Sequence, residues 1–532
     1  MNREKTRKTS RAKPRPKELL SREEGVIIKD WGGRLPIALI YPNSYYLGMS
    51  NLGIHALYRL LNREDDVVGE RAFWEGEAPL SLESRRPLSH FAVLAFSISY
   101  ELDYFNVVHI LKACGIPLFS AERDESYPLV IAGGPCVTAN PMTLAPFFDC
   151  LGIGEAEAIL PAMLRLLAKN IGESREKLLQ ALARLPGVYV PSLPPETQIK
   201  RQWAKNLDDF PVTSVVLTPD TELGDLYLIE VERGCNWSCR FCLVSTAFKP
   251  MRLRSLDKLL ALAREGLRYR RRLGLVGPAV SDYPQLGELL AGLHQMGAEF
   301  SLSSLRAGRL PTGVLEQIAR GGARTVTLAP EAGSERLRQV VKKGISEEDI
   351  LASIGKLAEL GIKQLKLYFM IGLPSETDGD IAELANLALK CKAVLDKQRR
   401  GTRLILNIAP FVPKAGTPFQ RLPMAPLPVL TQRLAWLRSR LAPEGIKLKS
   451  ESPAWSQIQA VLARGDSRVA EVLANIEEAS LAGWRRAVAK CQLDTDFYAH
   501  QRWDVSQKLP WAIIDSGTKA SYLEAELNKA LA

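Results

Sequence analysis

The sequence predicts an α/β protein built from two successive parallel-sheet units and a mainly helical C-terminal part. Short apolar runs alternate with segments of helical periodicity from residue 35 to about 420. Hydrophobic residues make up 46% of the 532 positions, which is enough for large cores. A proline-rich stretch separates the two alternating series. The expected parts are a basic tail at 1–34, a first unit at 35–190, a linker at 191–222, a second unit at 223–420 and a helical part at 421–532.

The first unit begins with the apolar run Leu35–Tyr41, which is typical of a buried parallel strand. A segment with helical spacing follows at 51–61, and a second helix is expected at 104–114. Further strands are predicted at 91–96, 128–134 and 150–154, with a helix from residue 155. The series predicts a doubly wound, Rossmann-like sheet, whose ligands would lie across the carboxyl ends of the strands.

The second unit has six candidate strands, of which the first five are each followed by a helical segment. The strands are predicted at 225–231, 273–277, 299–304, 323–329, 363–371 and 403–410. Six parallel strands of this kind predict a partial (β/α)6 barrel of the TIM type. Its functional groups would collect at the C-terminal rim.

The net charge of +11 is concentrated at the N-terminus, where the first 18 residues carry eight Lys and Arg against two Glu. Such a segment is predicted to be disordered. It could be a solubilising tail or an arm that binds RNA, but it has no aromatic residue for stacking. No apolar run has the length of a membrane span, and the eight cysteines are mostly scattered. These features predict a cytoplasmic protein without a membrane partner.

The most informative motif is CxxxCxxC, formed by Cys235, Cys239 and Cys242 directly after the first predicted barrel strand. Three thiolates can hold three irons of a 4Fe-4S cubane, which usually has four cysteine ligands. No fourth cysteine is nearby, so one iron would be open to S-adenosylmethionine (SAM). Zinc prefers four closed ligands, and no histidine lies within fifty residues. The spacing therefore favours a cluster that serves both as metal site and as catalytic centre.

This motif resembles that of the radical SAM superfamily, and the resemblance extends over nearly the whole chain from about residue 35. The stretches that carry it are the cysteine loop with Phe241, Thr327–Ser334, Tyr368–Glu376 and Ala409–Phe419. The last stretch is similar to the closing strand of a cobalamin-associated subgroup whose reaction is undefined. The resemblance implies a 4Fe-4S cluster, SAM and cobalamin as cofactors.

The resemblance also implies a set of SAM contacts at successive strand ends. Phe241 would flank the adenine, and the segment around Gly277 would present backbone to the amino group, although it lacks the common Gly-Gly-Glu. The remaining predicted contacts are Ser303, Arg306, Glu331, Gly333, Ser334, Gly372 and Pro374. Two of these have ordinary alternatives. Arg306 could form a surface ion pair, and Ser334 could cap the following helix.

In the first unit, Ser97, Ser99, Gly133 and Gly134 correspond to the pocket that would receive the nucleotide tail of cobalamin. The loop 42–48 contains no histidine, so cobalamin would bind without a protein histidine on its lower face. His55 is expected to be a packing residue. The alternative is a domain that only supports the barrel.

Three further cysteines, Cys114, Cys136 and Cys150, raise the possibility of the second cluster found in methylthiotransferases. The predicted topology puts Cys136 on the ligand rim and the other two on the opposite rim, so the thiols should not converge. We expect them to behave as small buried hydrophobes.

The function favoured by the sequence is a radical SAM enzyme that uses cobalamin to methylate an unactivated carbon. Radical rearrangement and methylthiolation are enzymatic alternatives. An RNA- or ribosome-associated iron–sulfur binding factor is the alternative from another class. The expected partners are an unidentified substrate and an electron donor such as flavodoxin or ferredoxin, and RNA is a candidate partner through the basic tail.

Overall fold

The first unit forms one six-stranded sheet in the computed structural model, which describes residues 16–303, 305–308, 312–321, 324–398 and 401–532. The strands are β1 Leu35–Tyr41, β2 Val67–Phe73, β3 Val93–Ser97, β4 Leu129–Gly133, β5 Cys150–Gly152 and β6 Val188–Tyr189. Their order is β2-β1-β3-β4-β5-β6, and all except β6 run parallel. This is a doubly wound order whose switch point, where ligands bind in such sheets, lies between β1 and β3.

The helices of this unit cover both faces of the sheet. They are α1 Pro16–Ser21, α2 Tyr45–Gly48, α3 Leu52–Arg63, α4 Tyr104–Ala113, α5 Pro135–Ala139, α6 Ala156–Asn170 and α7 Arg175–Ala183. Helix α3 begins where the Asn51 side chain accepts a hydrogen bond from the Gly53 amide at 2.8 Å. A short strand, β7 Ile199–Lys200, follows within the predicted linker.

Strand β2 was not predicted, and the N-terminal segment that covers it was predicted to be disordered. All seven residues of β2 are buried, including Arg71, which forms ion pairs of 2.7 Å with Glu23 and with Glu83. Leu19 of α1 is also buried. The expected disordered tail is therefore corrected for residues 18–34, which pack on the sheet because Glu23 neutralises the buried arginine. Residues 1–15, which hold most of the basic charge, lie outside the described residues.

The second unit contains the predicted partial barrel. Its strands are β8 Leu226–Glu230, β9 Glu232–Arg233, β10 Arg252–Leu253, β11 Arg272–Val276, β12 Glu299–Leu302, β13 Thr325–Glu331, β14 Gln364–Ile371 and β15 Arg403–Pro410. Its helices are α8 Val244–Ala247, α9 Leu256–Gly266, α10 Leu286–Gln295, α11 Thr312–Arg320, α12 Glu335–Val340, α13 Glu347–Glu359 and α14 Asp378–Gln398. The six predicted barrel strands correspond to β8 and β11–β15.

The C-terminal part is mainly helical, as predicted, and it also extends the barrel. Its elements are α15 Leu427–Leu441, β16 Lys447–Ser450, α16 Pro453–Arg464, α17 Ser467–Ala474, α18 Leu481–Cys491, α19 Thr495–Ala499, β17 Ile514–Asp515 and α20 Ala520–Leu531. Strand β16 pairs in parallel with β15 and gives the barrel sheet a seventh parallel strand.

The barrel strands form two parallel sheets, β12-β11-β8 and β13-β14-β15-β16, which a single bridge between Leu305 and Leu328 connects. One apolar core contains buried residues of all three parts, among them Leu94, Leu365 and Leu473. In the part of the chain that the structure describes, no helix is both long and apolar enough to cross a bilayer.

Candidate functional site

The three motif cysteines lie in one loop between β9 and α8, at the carboxyl end of the first barrel strand. Gly234, at φ +84°, turns the chain into this loop, where a Cβ would lie 2.3 Å from the carbonyl oxygen of Phe248. The amide of Cys242 donates to the carbonyl of Cys239 at 3.1 Å. The hydroxyl of Ser245 donates to the carbonyl of Cys242 at 2.7 Å and to the carbonyl of Cys239 at 3.2 Å. The backbone of the loop is therefore fixed without using any of the three thiols.

The thiols of this loop are free and electrostatically coupled. Burial raises the pKa of all three, that of Cys239 to about 11, and the charge of Cys242 raises the pKa of the other two further. Lys343 opposes this effect at Cys239 and Cys242. Cluster binding would therefore have to release protons from these thiols.

Within the described ranges, no three Cys, His, Asp or Glu side chains converge on a position for a single metal ion. A cubane distributes its ligands over separate irons, so its thiols need not converge in this way. The donor set, three free thiols without a fourth, fits a cluster with one open iron.

An ion pair connects the C-terminal helix α20 to the cysteine loop. The amide of Arg240 donates to the Val341 carbonyl at 3.1 Å, and its guanidinium donates to the carbonyls of Gln339 and Val340. The same guanidinium pairs with Glu526 of α20 at 3.1 Å, and both side chains are buried. Sequence analysis missed Glu526 because nothing local distinguishes it from other helical glutamates.

Predicted SAM contacts on β11 and β12 meet beside this loop. The Ser303 hydroxyl donates to the Gly277 carbonyl at 2.8 Å and accepts from the Gly277 amide at 3.2 Å. The guanidinium carbon of Arg306 lies 3.5 Å from the ring centroid of Trp237, in the cysteine loop. Gly277, Ser303 and Arg306 therefore lie at one side of the cysteine loop.

At the end of β13, only Glu331 faces the site. Its φ is +70°, and its carboxylate forms an ion pair of 3.0 Å with Lys343. Gly333 faces α14, where a Cβ would lie 2.2 Å from the Cα of Leu384. The buried Ser334 caps α12 and donates to Asp380 at 2.6 Å. The structure thus gives Gly333 a role in helix packing and Ser334 the capping role named as its alternative, while their contacts to SAM stay predictions.

The end of β14 contacts the aromatic residue of the motif. Phe241 packs in one apolar cluster with Met370 and Leu373, and the half-buried Pro374 follows Leu373. Gly372, at φ +73°, donates its amide to Glu376 at 2.7 Å. Phe241 thus packs against the same apolar cluster as the end of β14, and the adenine contacts of Phe241, Gly372 and Pro374 stay predictions.

A cavity of about 560 Å³ runs from the doubly wound sheet to the barrel rim. All four residues predicted for the cobalamin tail, Ser97, Ser99, Gly133 and Gly134, line it, and so does Gly277. Its inner part is an apolar cleft between α3 and α6, lined among others by Leu39, Ala95, Ile131, Ile159 and Met163. A Cβ on Gly133 would have no neighbour closer than 3.9 Å, so the missing side chain leaves open space. The cavity therefore joins an apolar cleft in the sheet domain to the barrel rim beside Gly277.

Glu232 is the most unusual residue of this cavity, and sequence analysis did not find it. It is 1% exposed, one carboxylate oxygen accepts the Ala279 amide, and the other has no hydrogen-bond partner among the described atoms. Burial raises the pKa of its carboxyl to about 7. Glu155 and Glu230, which also line the cavity, both pair with Arg233. Glu232 therefore offers a hydrogen-bonding position to whatever fills the cavity.

His55 is the histidine closest in sequence to the loop 42–48, and backbone groups engage both of its ring nitrogens. The Nε2 atom of His55 lies 3.1 Å from the Met49 carbonyl oxygen, and its Nδ1 atom accepts from the amides of Val215 and Val216. Burial lowers the pKa of this ring to about 4. His55 is a packing residue, as expected.

The three cysteines of the first unit are dispersed. Cys136 is buried at the ligand rim, whereas Cys150 begins β5 at the opposite end of the sheet and Cys114 follows α4. Burial raises the pKa of each thiol. This arrangement gives no support to a second cluster.

Two family models match the chain in agreement with this architecture. The model described as Radical SAM superfamily matches residues 229–388, which include the cysteine loop. The model described as Radical SAM proteins, N-terminal, matches residues 53–191 in the doubly wound unit.

Relatives and a solved structure extend the likeness to most of the chain. The uncharacterized protein MJ0966 of Methanocaldococcus jannaschii is 33% identical over 442 residues, 82% of this chain and 90% of its own. An uncharacterized methyltransferase, PH0819, of Pyrococcus horikoshii is 25% identical over 51% of this chain and 60% of its own. The cobalamin-dependent SAM radical enzyme OxsB with aqua-cobalamin bound has a TM-score of 0.50 at 13% identity, covering 94% of this chain and 80% of that one. The likeness to OxsB concerns the fold.

Proposed function

We propose, since the chain belongs to the radical SAM superfamily, that it is a cobalamin-dependent enzyme that methylates an unactivated carbon. The observation that carries this proposal is the cavity between the sheet domain and the barrel. It combines a deep apolar cleft with a mouth at Gly277, beside the cysteine loop. Binding of a cluster and SAM by the barrel does not require such a cleft in the sheet domain, so the cleft supports a further cofactor.

Under this proposal, each cofactor would occupy a separate place in the chain. Cys235, Cys239 and Cys242 would hold the cluster, and the strand-end group of Phe241, Gly372 and Pro374 would flank SAM. Ser97, Ser99, Gly133 and Gly134 would hold cobalamin. When bound, the cluster, SAM and cobalamin supply electron transfer, hydrogen abstraction and methyl transfer, and the protein supplies binding and orientation.

The residues around the cysteine loop would keep the reaction in one place. Arg306 stacks on Trp237, and Arg240 is fixed by backbone carbonyls and by Glu526, so the loop is supported on two sides. Buried ion pairs of Glu155 with Arg233 and Arg252, at 2.9 and 2.6 Å, join the two domains beside the cavity. This seam would exclude water from the space between the cofactors.

The proposal is tested by loading the anaerobically purified protein with iron, sulfide and hydroxocobalamin. We expect an optical spectrum of bound cobalamin after gel filtration, and transfer of the labelled SAM methyl group to that cobalamin. Gly133→Leu would fill the cleft without a clash at its Cβ and should abolish cobalamin binding.

Gly172→Leu is the matched control, because the space around Gly172 is also open but Gly172 lies outside the cavity. Cobalamin binding without methyl transfer would point to rearrangement chemistry. A folded protein that binds no cobalamin would contradict the proposal.

A further inference from the structure

The inner face of the barrel carries polar and aromatic side chains on three neighbouring strands. On β14, the buried Leu365, Leu367 and Phe369 pack in the core, while Lys366 and Tyr368 alternate with them and face the other way. On β15, Leu406 and Ile408 belong to the same core and leave Asn407 on the inner face. On β16, the exposed lysines alternate with Leu448 in the same manner.

The strand register aligns these side chains in two rows. Tyr368 pairs with Asn407, and Asn407 pairs with Lys449. In the row below, Lys366 pairs with Ile405, and Ile405 pairs with Lys447. Paired residues of a sheet point to the same face, and two strand spacings separate Tyr368 from Lys449 by roughly 10 Å. A phenol ring, an amide and an ammonium group thus follow one another across the sheet.

These groups are available to a ligand. Tyr368 is 45% exposed although it lies in a central strand. The Asn407 amide nitrogen is buried and has no acceptor among the described atoms. Lys366, Lys447 and Lys449 take part in none of the ion pairs formed within the described ranges. Three unpaired cations and an unused donor suit a ligand rich in acceptors, and an open ring suits a planar group.

We infer that this inner face binds the substrate and that the substrate is a nucleotide or a nucleotide chain. Its base would stack on Tyr368, the Asn407 amide would donate to a base or sugar oxygen, and the lysines would pair with phosphate. Tyr368 lies two residues before Met370, which packs in the same cluster as Phe241, so this surface adjoins the proposed SAM site. The inference rests on the proposed function, because it needs SAM chemistry at that rim.

A simpler explanation covers only part of the surface. Lysines on an edge strand protect it from pairing with other chains, and Lys447 and Lys449 lie on such an edge. Lys366 and Tyr368 lie on β14, which has a partner on each side, so edge protection does not explain them.

The test is binding of a fluorescent single-stranded RNA oligonucleotide to the full-length protein, measured by anisotropy at several salt concentrations. Mononucleotides and inorganic polyphosphate serve as competitors, and SAM binding is measured in parallel by calorimetry. Tyr368→Ala should weaken RNA binding about 5- to 150-fold, the range for one lost stacking contact. The double variant Lys366→Gln/Lys449→Gln should reduce the salt slope by about 0.7 per lysine.

Lys169→Gln on α6 is the control, since it removes one lysine charge, half of that removed by the double variant, from an exposed helix position outside the barrel. It should leave RNA binding unchanged. Competition by mononucleotides as strong as by RNA would identify a free nucleotide as the substrate. Two results would overturn the inference. One is an RNA affinity that is the same in all variants, and the other is competition by polyphosphate that is equally strong in the wild-type protein and in Tyr368→Ala. Intact SAM binding in that case would leave the proposed function standing.

Discussion

The substitution Glu526→Ala should destabilise the cysteine loop, although Glu526 lies more than 280 residues away from the loop in sequence. Glu526 is 5% exposed in its side chain and pairs with Arg240 at 3.1 Å and Lys342 at 2.9 Å. Lys342 is 42% exposed and can return to water, whereas Arg240 is 8% exposed and cannot. The variant therefore leaves one buried cation without its counterion.

Breaking a buried pair on one side costs about 3 to 5 kcal/mol. Arg240 keeps the carbonyls of Gln339 and Val340, so we expect the lower end, about 3 kcal/mol. If this free-energy loss destabilises the loop alone, the equilibrium constant for opening the loop rises roughly 150-fold.

The assay is the rate of iron release from the reconstituted protein to a chelator, together with the midpoint of thermal unfolding. Lys529→Ala is the control, because Lys529 is 68% exposed and lies 3.5 Å from the same carboxylate. We expect fast iron release from Glu526→Ala and wild-type behaviour from Lys529→Ala. Equal iron release from the two variants would refute the reasoning.

Three further predictions concern single features of the chain. Cys239→Ala should lose the cluster and SAM cleavage, whereas Cys114→Ala and Cys150→Ala should keep full iron content, as measured by colorimetric iron analysis. Glu232, whose pKa burial raises from 4.5 to about 7, makes the folded state bind more protons than the unfolded state. Glu232 alone should therefore cost the iron-free protein about 3 kcal/mol of stability as pH rises from 4.5 to 7, and Glu232→Gln should reduce the pH-dependent loss by that amount in denaturant titrations, while Glu376 and Asp103, whose pKa values burial also raises, keep their own contributions. Removal of residues 1–15 should change neither RNA affinity nor SAM cleavage, and a large loss of RNA affinity would show that the tail contacts RNA.

The sequence predicted the elements whose core positions are all apolar. Strand β1 and the six barrel strands were found because their buried residues are aliphatic or aromatic. Strand β2 was missed because Glu70 and Arg71 lie in its middle. The burial of Arg71 depends on ion pairs with Glu23 and Glu83, and that of Glu70 on hydrogen bonds from Trp31 and Ser84. These partners lie outside the strand, and Glu23 and Trp31 belong to the N-terminal segment, so the same contacts explain both the missed strand and the misassigned tail.

The site was predictable where a residue's role follows from its neighbours in the chain. The cysteine loop and the glycines of the cavity belong to this class. The roles of Gly333 and Ser334 could not be separated from the sequence, because helix packing and capping select the same residue types as a ligand does. Glu232 and Glu526 were missed because only the folded arrangement distinguishes them from surface glutamates.

The central claim is that Cys235, Cys239 and Cys242 hold a 4Fe-4S cluster with one iron open to SAM. Its most direct test is electron paramagnetic resonance of the dithionite-reduced, reconstituted protein with and without SAM. We predict the signal of a reduced cubane, a change in that signal when SAM is added, and no such signal from Cys239→Ala. A signal that is unaffected by SAM, or one that survives in Cys239→Ala, would contradict the claim.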